Sequence, residues 1–246
     1  MKGIILAGGM ATRLRPLTLT LNKHMLPIYN KPMIYYALEA MQKAGINDVL
    51  LTSSPRHCGQ FVDLLGSGDD FDLEISYAVQ DKPGGISDAI KLGRSHVGND
   101  NVLVILGDNI FNYNLKKSVQ EFDKNVEQGA KVFAIQMPTE TGQYGVIEVD
   151  QDNNVLSIEE KPKKPKSNLA QTGIYIYDSR VFDFIEKLKP SGRGELEVTD
   201  LNNQYLKEGT LQCDVLQGWW IDAGSSHDEL LRANNSVAEK VKAGEW

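Results

Sequence analysis

The sequence predicts a three-layer α/β/α fold built on a mixed, mostly parallel central sheet. Apolar runs of strand length alternate with helical stretches in the first half, a pattern typical of parallel strands covered by helices on both faces. Short strands separated by turns follow in the second half and indicate hairpins. The 246 residues suffice for one large hydrophobic core, so we expect a single domain over residues 1–246.

Strands in the first half are predicted from apolar runs bounded by turn residues. They are Gly3–Ala7, Asp48–Thr52, Ile75–Val79, Val102–Leu106 and Val132–Met137. The helical stretches between them are Met33–Lys43, Gln60–Leu65, Ile86–Val97 and Leu115–Gln128. The last of these helices is expected to end at Gly129, because glycine often follows the final helical residue.

The second half is predicted to add short strands and further helices. The strands are Gly145–Val149, Val155–Glu160 and Gly173–Tyr177, and a turn at Asp150–Asn154 joins the first two. Helical periodicity returns over Val181–Leu188, Glu197–Lys207 and Ser226–Lys242.

Composition excludes several classes of protein. Lys and Arg number 26 against 33 for Asp and Glu, a formal net charge of −7, which argues against a nucleic-acid-binding surface. Cys58 and Cys213 are too few for a disulfide framework and too far apart for a close zinc motif. The N-terminal apolar run is too short for a signal peptide, and no later run reaches membrane length. We expect a cytoplasmic protein with no nucleic-acid or membrane partner.

A glycine-rich stretch follows the first predicted strand. Gly8 and Gly9 lack side chains, so their backbone N–H groups can approach an anion. Arg13 and Lys23 supply cations on either side of a loop able to hold a triphosphate. A Gly-Gly pair alone is more often an ordinary strand-to-helix turn, so the interpretation as a phosphate loop depends on the two cations.

Two well-known nucleotide-binding motifs are absent. No G-x-x-x-x-G-K-[ST] sequence occurs, which disfavours a P-loop NTPase. The dinucleotide fingerprint G-x-G-x-x-G is also missing, which removes the main support for a Rossmann-type oxidoreductase.

The N-terminal segments resemble the signature of the sugar nucleotidyltransferase family. The resemblance rests on Gly3–Pro16, Asn22–Pro27 and Lys31–Tyr36, and similar segments continue through nearly the whole chain. It is strongest for the thymidylyltransferases of glucose 1-phosphate, which implies dTTP and glucose 1-phosphate as substrates and a Rossmann-like nucleotide-diphospho-sugar transferase fold. Ala11 stands where the family usually has a third glycine, so its φ angle decides what the methyl group costs.

The family resemblance implies a nucleotide site in the first half of the chain. In this interpretation the loop amides and Arg13 hold the leaving phosphates, and Lys23 steadies the α-phosphate. The amide of Gln80 offers a donor and an acceptor to the N3–H and O4 edge of thymine, an edge that uracil shares. The implied nucleotide-binding residues are Leu6, Ala7, Gly8, Gly9, Met10, Ala11, Thr12, Arg13, Lys23, Gln80, Pro83, Gly85 and Asp108.

Two aspartates are the candidate metal ligands. Asp108 follows a buried strand, at the edge where α/β sheets bind ligands, and Asp222 ends another strand-like run. Either one could instead cap a turn or helix. By resemblance they match the magnesium-binding pair of the family, and Mg²⁺ suits a site of few carboxylates completed by phosphate oxygens and water. His24 and His57 are isolated, so zinc is not expected.

The second half is expected to bind the sugar phosphate. By resemblance Glu160 accepts hydrogen bonds from sugar hydroxyls and Lys161 orients the attacking phosphate. Without the resemblance these two residues are simply a charged strand end, and Trp220 a core aromatic. The implied sugar-phosphate-binding residues are Asn109, Tyr144, Gly145, Glu160, Lys161, Thr172, Gly173 and Trp220. The implied catalytic residues are Arg13, Lys23, Asp108 and Lys161.

Two alternatives stay open from the sequence. The first is an enzyme of the same family that uses UTP or another nucleotide, and the second is a non-catalytic homologue that binds sugar nucleotides for regulation. The nucleotide part is expected at about residues 1–110, the sugar-phosphate part at about 111–224 and a closing helix at 225–246, with homo-oligomeric assembly.

Overall fold

A computed structural model describes residues 1–125, 129–137, 142–151 and 153–245. Its strands are β1 (Lys2–Leu6), β2 (Pro27–Ile28), β3 (Lys31–Pro32), β4 (Asp48–Ser53), β5 (Glu74–Val79), β6 (Val102–Leu106), β7 (Asn109–Phe111), β8 (Ala130–Gln136), β9 (Gly145–Val149), β10 (Val155–Glu160), β11 (Leu169–Tyr177), β12 (Leu211–Val215) and β13 (Trp220–Asp222). Its α-helices are α1 (Met33–Ala44), α2 (Cys58–Leu65), α3 (Ile86–Lys91), α4 (Arg94–Val97), α5 (Lys116–Lys124), α6 (Val181–Lys187), α7 (Val198–Lys207) and α8 (His227–Ala243). Short 3₁₀ helices occur at Thr12–Leu14, Lys23–Met25 and Asp69–Phe71.

One mixed sheet runs through both halves of the described chain. Its order is β10-β9-β11-β6-β1-β4-β5, with β8 paired to β11 and β12 paired to β8. β1 pairs in parallel with β4 and β6, and β4 pairs in parallel with β5. β11 pairs antiparallel with β6, β8 and β9. The predicted mixed sheet is confirmed. The chain passes from β1 to β4 on one side and later returns to β6 on the other side of β1. Such a change of direction opens a ligand crevice at the carboxyl ends of the strands.

Alternate side chains of β1 pack into two separate cores. Ile5 lies in one core with Leu38 of α1, while Ile4 lies in the other with Ile90 of α3 and Phe182 of α6. Because successive side chains of a strand point to opposite faces, the sheet is covered on both sides. The predicted three-layer arrangement is therefore confirmed.

The predicted helix at Ile86–Val97 is wrong as a single element. The structure divides it into α3 and α4 around Gly93. A Cβ at Gly93 would collide with the side chain of Ile4 on β1, so the helical segment approaches the strand more closely than a side chain would allow.

The predicted end of the following helix is also wrong. The helix α5 stops at Lys124, and Asn125 has extended backbone angles of φ −73° and ψ 120°. Gly129 therefore does not cap this helix, and residues 126–128 lie outside the described ranges. In the predicted turn at 150–154, Asp152 is likewise outside them, while the Asn154 N–H donates to Asp150 Oδ1 over 2.8 Å.

Two strands of three residues each connect the halves of the chain. The sequence analysis did not predict that they pair. β7 and β13 pair antiparallel with Asp222 opposite Asn109. The Ala223 N–H also donates to the Asp108 carbonyl over 3.0 Å. This pairing brings together two carboxylates that lie more than a hundred residues apart in the sequence.

The last helix packs beside this ribbon. Its N-cap Ser226 accepts a hydrogen bond from the Glu229 N–H over 3.1 Å, and Ala233 and Val237 pack with Ile28 in a small core. No helix in the described ranges is long and apolar enough to span a membrane.

Candidate active site

Two cavities meet at the carboxyl ends of β1 and β6. The larger has a volume of about 450 Å³ and the smaller about 250 Å³. Gly9 and Lys23 line both. Predicted residues in the larger cavity are Gly9, Ala11, Thr12, Arg13, Lys23, Asn109, Tyr144, Gly145, Glu160, Lys161, Thr172, Gly173, Trp220 and Asp222. Predicted residues in the smaller cavity are Leu6, Gly8, Gly9, Lys23, Gln80, Pro83, Gly85 and Asp108.

Two predicted residues lie outside both cavities. Ala7 is fully buried, and its carbonyl accepts a hydrogen bond from Asn22 Nδ2 over 3.1 Å. It supports the glycine-rich loop from beneath. Met10 is exposed and lines a neighbouring cavity that also contains Arg15 and Arg56.

The glycine-rich loop has an open face at Gly9. Gly9 has a φ of +91°, and no described atom lies within 4 Å of the place a Cβ would occupy. Ala11 has a φ of 45° and a ψ of 43°, which is the left-handed region. The replacement of glycine by alanine is therefore not neutral, since this region costs an L-residue about 1–2 kcal/mol. A hydrogen bond of 2.8 Å from the Thr18 hydroxyl to the Ala11 carbonyl braces the strained backbone.

Lys23 forms an ion pair with Asp108 where the cavities join. Lys23 begins a 3₁₀ helix whose N-cap Asn22 accepts a hydrogen bond from the His24 N–H over 2.9 Å. The Nζ atom of Lys23 contacts Asp108 Oδ2. Burial has the largest single effect and would raise the pKa of Asp108, but the Lys23 charge and the hydrogen bonds from Lys23 and Asn109 together outweigh it and lower the pKa to about 2. Asp108 is therefore ionised at neutral pH.

Asp222 lies beside this pair in a different electrostatic state. Burial and the charge of Asp108 raise the pKa of Asp222 to about 7. Burial lowers the pKa of Lys23 and Arg13 lowers it further, but the two aspartates together outweigh both effects, so this pKa is raised. Arg13 also lowers the pKa of Asp222. A Cβ at Gly224 would come within 2.8 Å of Lys23 Nζ and closer still to Asp108, so glycine is required for the segment after Asp222 to cover the pair.

His24 is a core residue. It is 1% exposed, and its Nδ1 lies 2.7 Å from Asn22 Oδ1. Burial, with a smaller effect of the Lys23 charge, lowers the pKa of His24 to about 3. The ring is therefore neutral at pH 7, and no group of three His, Cys, Asp or Glu residues among the described ones is arranged to hold a metal.

Asn109 connects the parts of the site. Its Oδ1 accepts hydrogen bonds from the Gly173 N–H over 2.7 Å and from Trp220 Nε1 over 2.6 Å. Its Nδ2 donates to Asp108 Oδ1 over 3.1 Å. With 2% of its surface exposed, Asn109 orients Asp108 and Trp220 through contacts that it makes within the protein.

The opposite wall of the larger cavity is formed by β10 and β11. Glu160 Oε2 accepts a hydrogen bond from the Thr199 hydroxyl over 2.7 Å, and Lys161 Nζ lies 3.7 Å from Glu160 Oε1. The Trp220 and Tyr144 rings meet edge to face at 5.4 Å. The Thr172 hydroxyl donates to the Phe133 carbonyl over 2.9 Å, so its proton is directed away from the cavity.

Arg193 and Gln171 are among the lining residues of this cavity that the sequence analysis did not assign to the site. Arg193 lines it and pairs with Glu197 at 2.7 Å. Gln171 lines it too and is 7% exposed. Its Oε1 is buried and has no hydrogen-bond partner in the described part of the chain. A polar residue inside a strand that is otherwise buried and largely apolar is the signal that could have identified Gln171.

The amide of Gln80 does not present both of its hydrogen-bonding groups to the smaller cavity. Its Nε2 donates to Asp88 Oδ2 over 2.7 Å and to the Gly85 carbonyl over 3.3 Å. The sequence analysis expected Gln80 to offer a base both a donor and an acceptor. In the structure Nε2 is already bonded to Asp88 and Gly85, so Oε1 is the amide atom left to bind a base.

Comparison with known proteins agrees with this geometry. The family model described as "Nucleotidyl transferase" matches residues 2–240. The chain belongs to this nucleotidyl transferase family. A glucose-1-phosphate thymidylyltransferase of Neisseria meningitidis is 46% identical over 96% of this chain and 82% of its own length. The corresponding enzyme of Mycolicibacterium smegmatis is 45% identical over 96% of this chain and 82% of its own length.

Solved structures of nucleotidyl transferases share the fold. A Bacillus anthracis protein provisionally assigned as a glucose-1-phosphate thymidylyltransferase, solved with sucrose, superposes with a TM-score of 0.90 at 48% identity, covering 96% of this chain and 94% of that one. A UDP-glucose pyrophosphorylase in complex with UDP-glucose gives a TM-score of 0.85 at 26% identity, covering 97% and 98%. The predicted family is therefore confirmed.

Proposed function

We propose that this nucleotidyl transferase is a glucose-1-phosphate thymidylyltransferase, which transfers a thymidylyl group from dTTP to glucose 1-phosphate and releases pyrophosphate. The meeting of the two cavities at Lys23 carries the proposal. A nucleotide in the smaller cavity and a sugar phosphate in the larger one would bring their phosphates together beside this cation. The names of the relatives at about 45% identity support the choice of substrates.

The nucleotide side combines the glycine-rich loop with two cations. The amides of the loop and Arg13 hold the β- and γ-phosphates, while Lys23 stabilises the charge that develops at the α-phosphate. Gln80 and the backbone of Gly85 bind the base, with Leu6 and Pro83 as apolar neighbours. Positioning and charge neutralisation supply most of the acceleration, as in other phosphoryl-type transfers.

The sugar side lies across the larger cavity. Glu160, held by Thr199, accepts hydrogen bonds from sugar hydroxyls, and Tyr144, Gly145 and Gly173 shape the surface beneath the ring. Lys161 orients the phosphate for in-line attack, with Arg193 as a second cation on the same wall. The attacking phosphate oxygen is already ionised, so the reaction needs no general base. The neutral, buried His24 agrees with this.

Mg²⁺ fits the paired carboxylates. Asp108 and Asp222 share Lys23 as a cation, and burial together with the charge of Asp108 still raises the pKa of Asp222, although Lys23 and Arg13 lower it. Two carboxylates with room for phosphate oxygens and water match the ligands that Mg²⁺ prefers. When bound, the ion neutralises triphosphate charge and polarises the α-phosphate. The residues of the chain provide the rest: Asn109 orients Asp108, and Gly224 lets the Asp222 segment approach.

Pyrophosphate release tests the proposal. The assay crosses dTTP, UTP, CTP and GTP with glucose, mannose and galactosamine 1-phosphates in the presence of Mg²⁺. We expect the highest kcat/KM for dTTP with glucose 1-phosphate. A preference for UTP would favour the alternative of a UTP-dependent enzyme of the same family, which the similarity to UDP-glucose pyrophosphorylase suggests. No release from any pair would favour a non-catalytic regulatory homologue, a class in which loss of Arg13, Lys23 or an aspartate is expected and which this site does not resemble.

Three broader assignments remain proposals. The continuous sheet through both halves supports one domain over residues 1–246, with the boundaries at about 110 and 224 given above. A cytoplasmic location and homo-oligomeric assembly stay predictions from the sequence.

A further inference from the structure

Asp88 holds the Gln80 amide in one orientation. The two hydrogen bonds from Gln80 Nε2, to Asp88 Oδ2 at 2.7 Å and to the Gly85 carbonyl at 3.3 Å, use both N–H groups of the amide. The amide oxygen faces the glycine-rich loop, since a Cβ placed on Gly8 would lie 3.2 Å from Oε1. The acceptor end of Gln80 therefore points toward the smaller cavity.

The reverse orientation of the amide is disfavoured by two acceptors. Turning the amide by half a rotation would place its oxygen against the Asp88 carboxylate and the Gly85 carbonyl, neither of which can donate. It would also forfeit a charge-assisted hydrogen bond, the stronger kind. The approach of Asp88 depends on Gly84, because a Cβ there would collide with the carboxylate.

A fixed acceptor discriminates between pyrimidines. Thymine and uracil carry an N–H donor at position 3, whereas cytosine has an unprotonated nitrogen that accepts there and carries its donor on the amino group at position 4. An oxygen fixed opposite position 3 therefore binds thymine and uracil and is repelled by cytosine. We propose that Asp88 is a positioning residue for base selection: it makes Gln80 act only as an acceptor, so the site takes bases with a ring N–H and rejects cytosine. This inference rests on the proposed function, which places the base in the smaller cavity.

The isosteric variant Asp88→Asn tests the inference. An asparagine amide can either accept from Gln80 or donate to it, so the Gln80 amide becomes free to turn and present its N–H groups to cytosine. UTP and CTP are the right pair, because they share the ribose and triphosphate and differ only at the edge that Gln80 reads. We expect the CTP/UTP ratio of kcat/KM to rise at least about tenfold, while the dTTP/UTP ratio stays as in the wild type.

A matched control removes the same charge from the loop that precedes α3. Asp81 is exposed, and Asp81→Asn should leave the CTP/UTP ratio unchanged. The smaller variant Asp88→Ser, whose hydroxyl also accepts or donates, repeats the test if Asp88→Asn folds poorly.

Two outcomes would overturn the inference while leaving thymidylyl transfer intact. One is a wild-type enzyme that uses CTP as well as UTP, and the other is an unchanged ratio in both Asp88 variants. A wild type inactive with every substrate pair would instead overturn the proposed function. In that case, calorimetry can measure the affinities of the wild type and of Asp88→Asn for UTP and CTP without turnover. A CTP/UTP affinity ratio that rises in Asp88→Asn would support the inference, and an unchanged ratio would overturn it.

Discussion

Lys23 and Asp108 form an ion pair at the junction of two cavities, with Asp222 as a second carboxylate beside the same cation. The pKa values of the two aspartates shift in opposite directions: the pKa of Asp108 is lowered to about 2, and the pKa of Asp222 is raised to about 7. Burial and the charge of Asp108 raise the pKa of Asp222, and the cations Lys23 and Arg13 offset these effects only in part. Binding of an additional cation at this site is therefore electrostatically favourable.

We expect removal of Lys23 to lower the unfolding free energy more than removal of the Asp108 charge. Replacing Lys23 by Met leaves two buried carboxylates without their cation and should cost about 3–5 kcal/mol of unfolding free energy. Asp108→Asn should cost less, because Lys23 keeps Asp222 as a partner and Asn109 can still hydrogen-bond the new side chain. Denaturant unfolding of both variants measures the difference.

Catalytic activity should fall in Asp108→Asn and in Arg13→Ala, because each variant loses a charge that stabilises the transition state. We expect kcat of Asp108→Asn to drop about 10²–10³-fold, the range typical for loss of one electrostatic stabiliser of a transition state, and Arg13→Ala to fall similarly, with the fold intact by circular dichroism. Wild-type turnover in either one would contradict the assigned roles. The exposed variant Asp63→Asn on α2 serves as the control that changes charge away from both cavities.

The strained Ala11 predicts a stabilising substitution. Ala11→Gly relieves about 1–2 kcal/mol of left-handed strain and loses about 0.4–1 kcal/mol through the freer unfolded chain. The net gain should raise Tm by about 1–3 °C, which differential scanning calorimetry can resolve. The opposite change, Gly9→Ala, should lower Tm and raise the KM for dTTP, because it adds strain at a φ of +91° and fills the open face of the loop. A lower Tm for Ala11→Gly would show that the alanine methyl is accommodated without strain.

Much of the site was predictable because its residues follow long, regular elements. Gly8 and Asp108 lie two residues after the ends of β1 and β6. These two apolar strands pair in parallel, which places their carboxyl ends at the same edge of the sheet. Lys23 and Arg13 were recognised by their charge near the loop. For such residues the sequence pattern carries enough information to predict their neighbourhood.

Other parts depend on information that a local pattern lacks. β7 and β13 have three residues each, too few to show a period, although they bring Asp222 to Asp108. Arg193 lies between glycines in a loop with no periodicity. The φ angle of Ala11 and the engagement of Gln80 by Asp88 arise from tertiary contacts, so no residue type could have revealed them.

The raised pKa of Asp222 predicts a pH dependence of stability. The pKa of Asp222 is about 7 in the folded protein, against about 3.9 for an unperturbed aspartate. The folded state therefore binds more protons than the unfolded state between these values, and unfolding free energy falls as pH rises from about 4 to 7. Urea unfolding in EDTA across this range measures the slope. Asp222→Asn should reduce the slope, and equal slopes in the two proteins would contradict the assignment.

The unpartnered oxygen of Gln171 predicts an effect confined to the sugar substrate. Gln171 lines the larger cavity, and its buried Oε1 has no hydrogen-bond partner among the described residues, so we expect the amide to turn toward a bound sugar and accept a hydrogen bond from a hexose hydroxyl. Gln171→Met keeps the length of the side chain but removes the acceptor, and a lost hydrogen bond of about 1–1.5 kcal/mol raises the KM for glucose 1-phosphate about 5–15-fold.

The nucleotide provides the internal comparison for Gln171→Met. The KM for dTTP should not change, because Gln171 lies on the wall opposite the glycine-rich loop, and Gln136→Met, an exposed position on β8 outside both cavities, should change neither constant. Repeating the assay with 2-, 3-, 4- and 6-deoxyglucose 1-phosphates identifies the hydroxyl, since the variant should show no added penalty for the analogue that lacks it. An equal penalty for glucose 1-phosphate and all four analogues would mean that Gln171 acts through packing and binds no sugar hydroxyl.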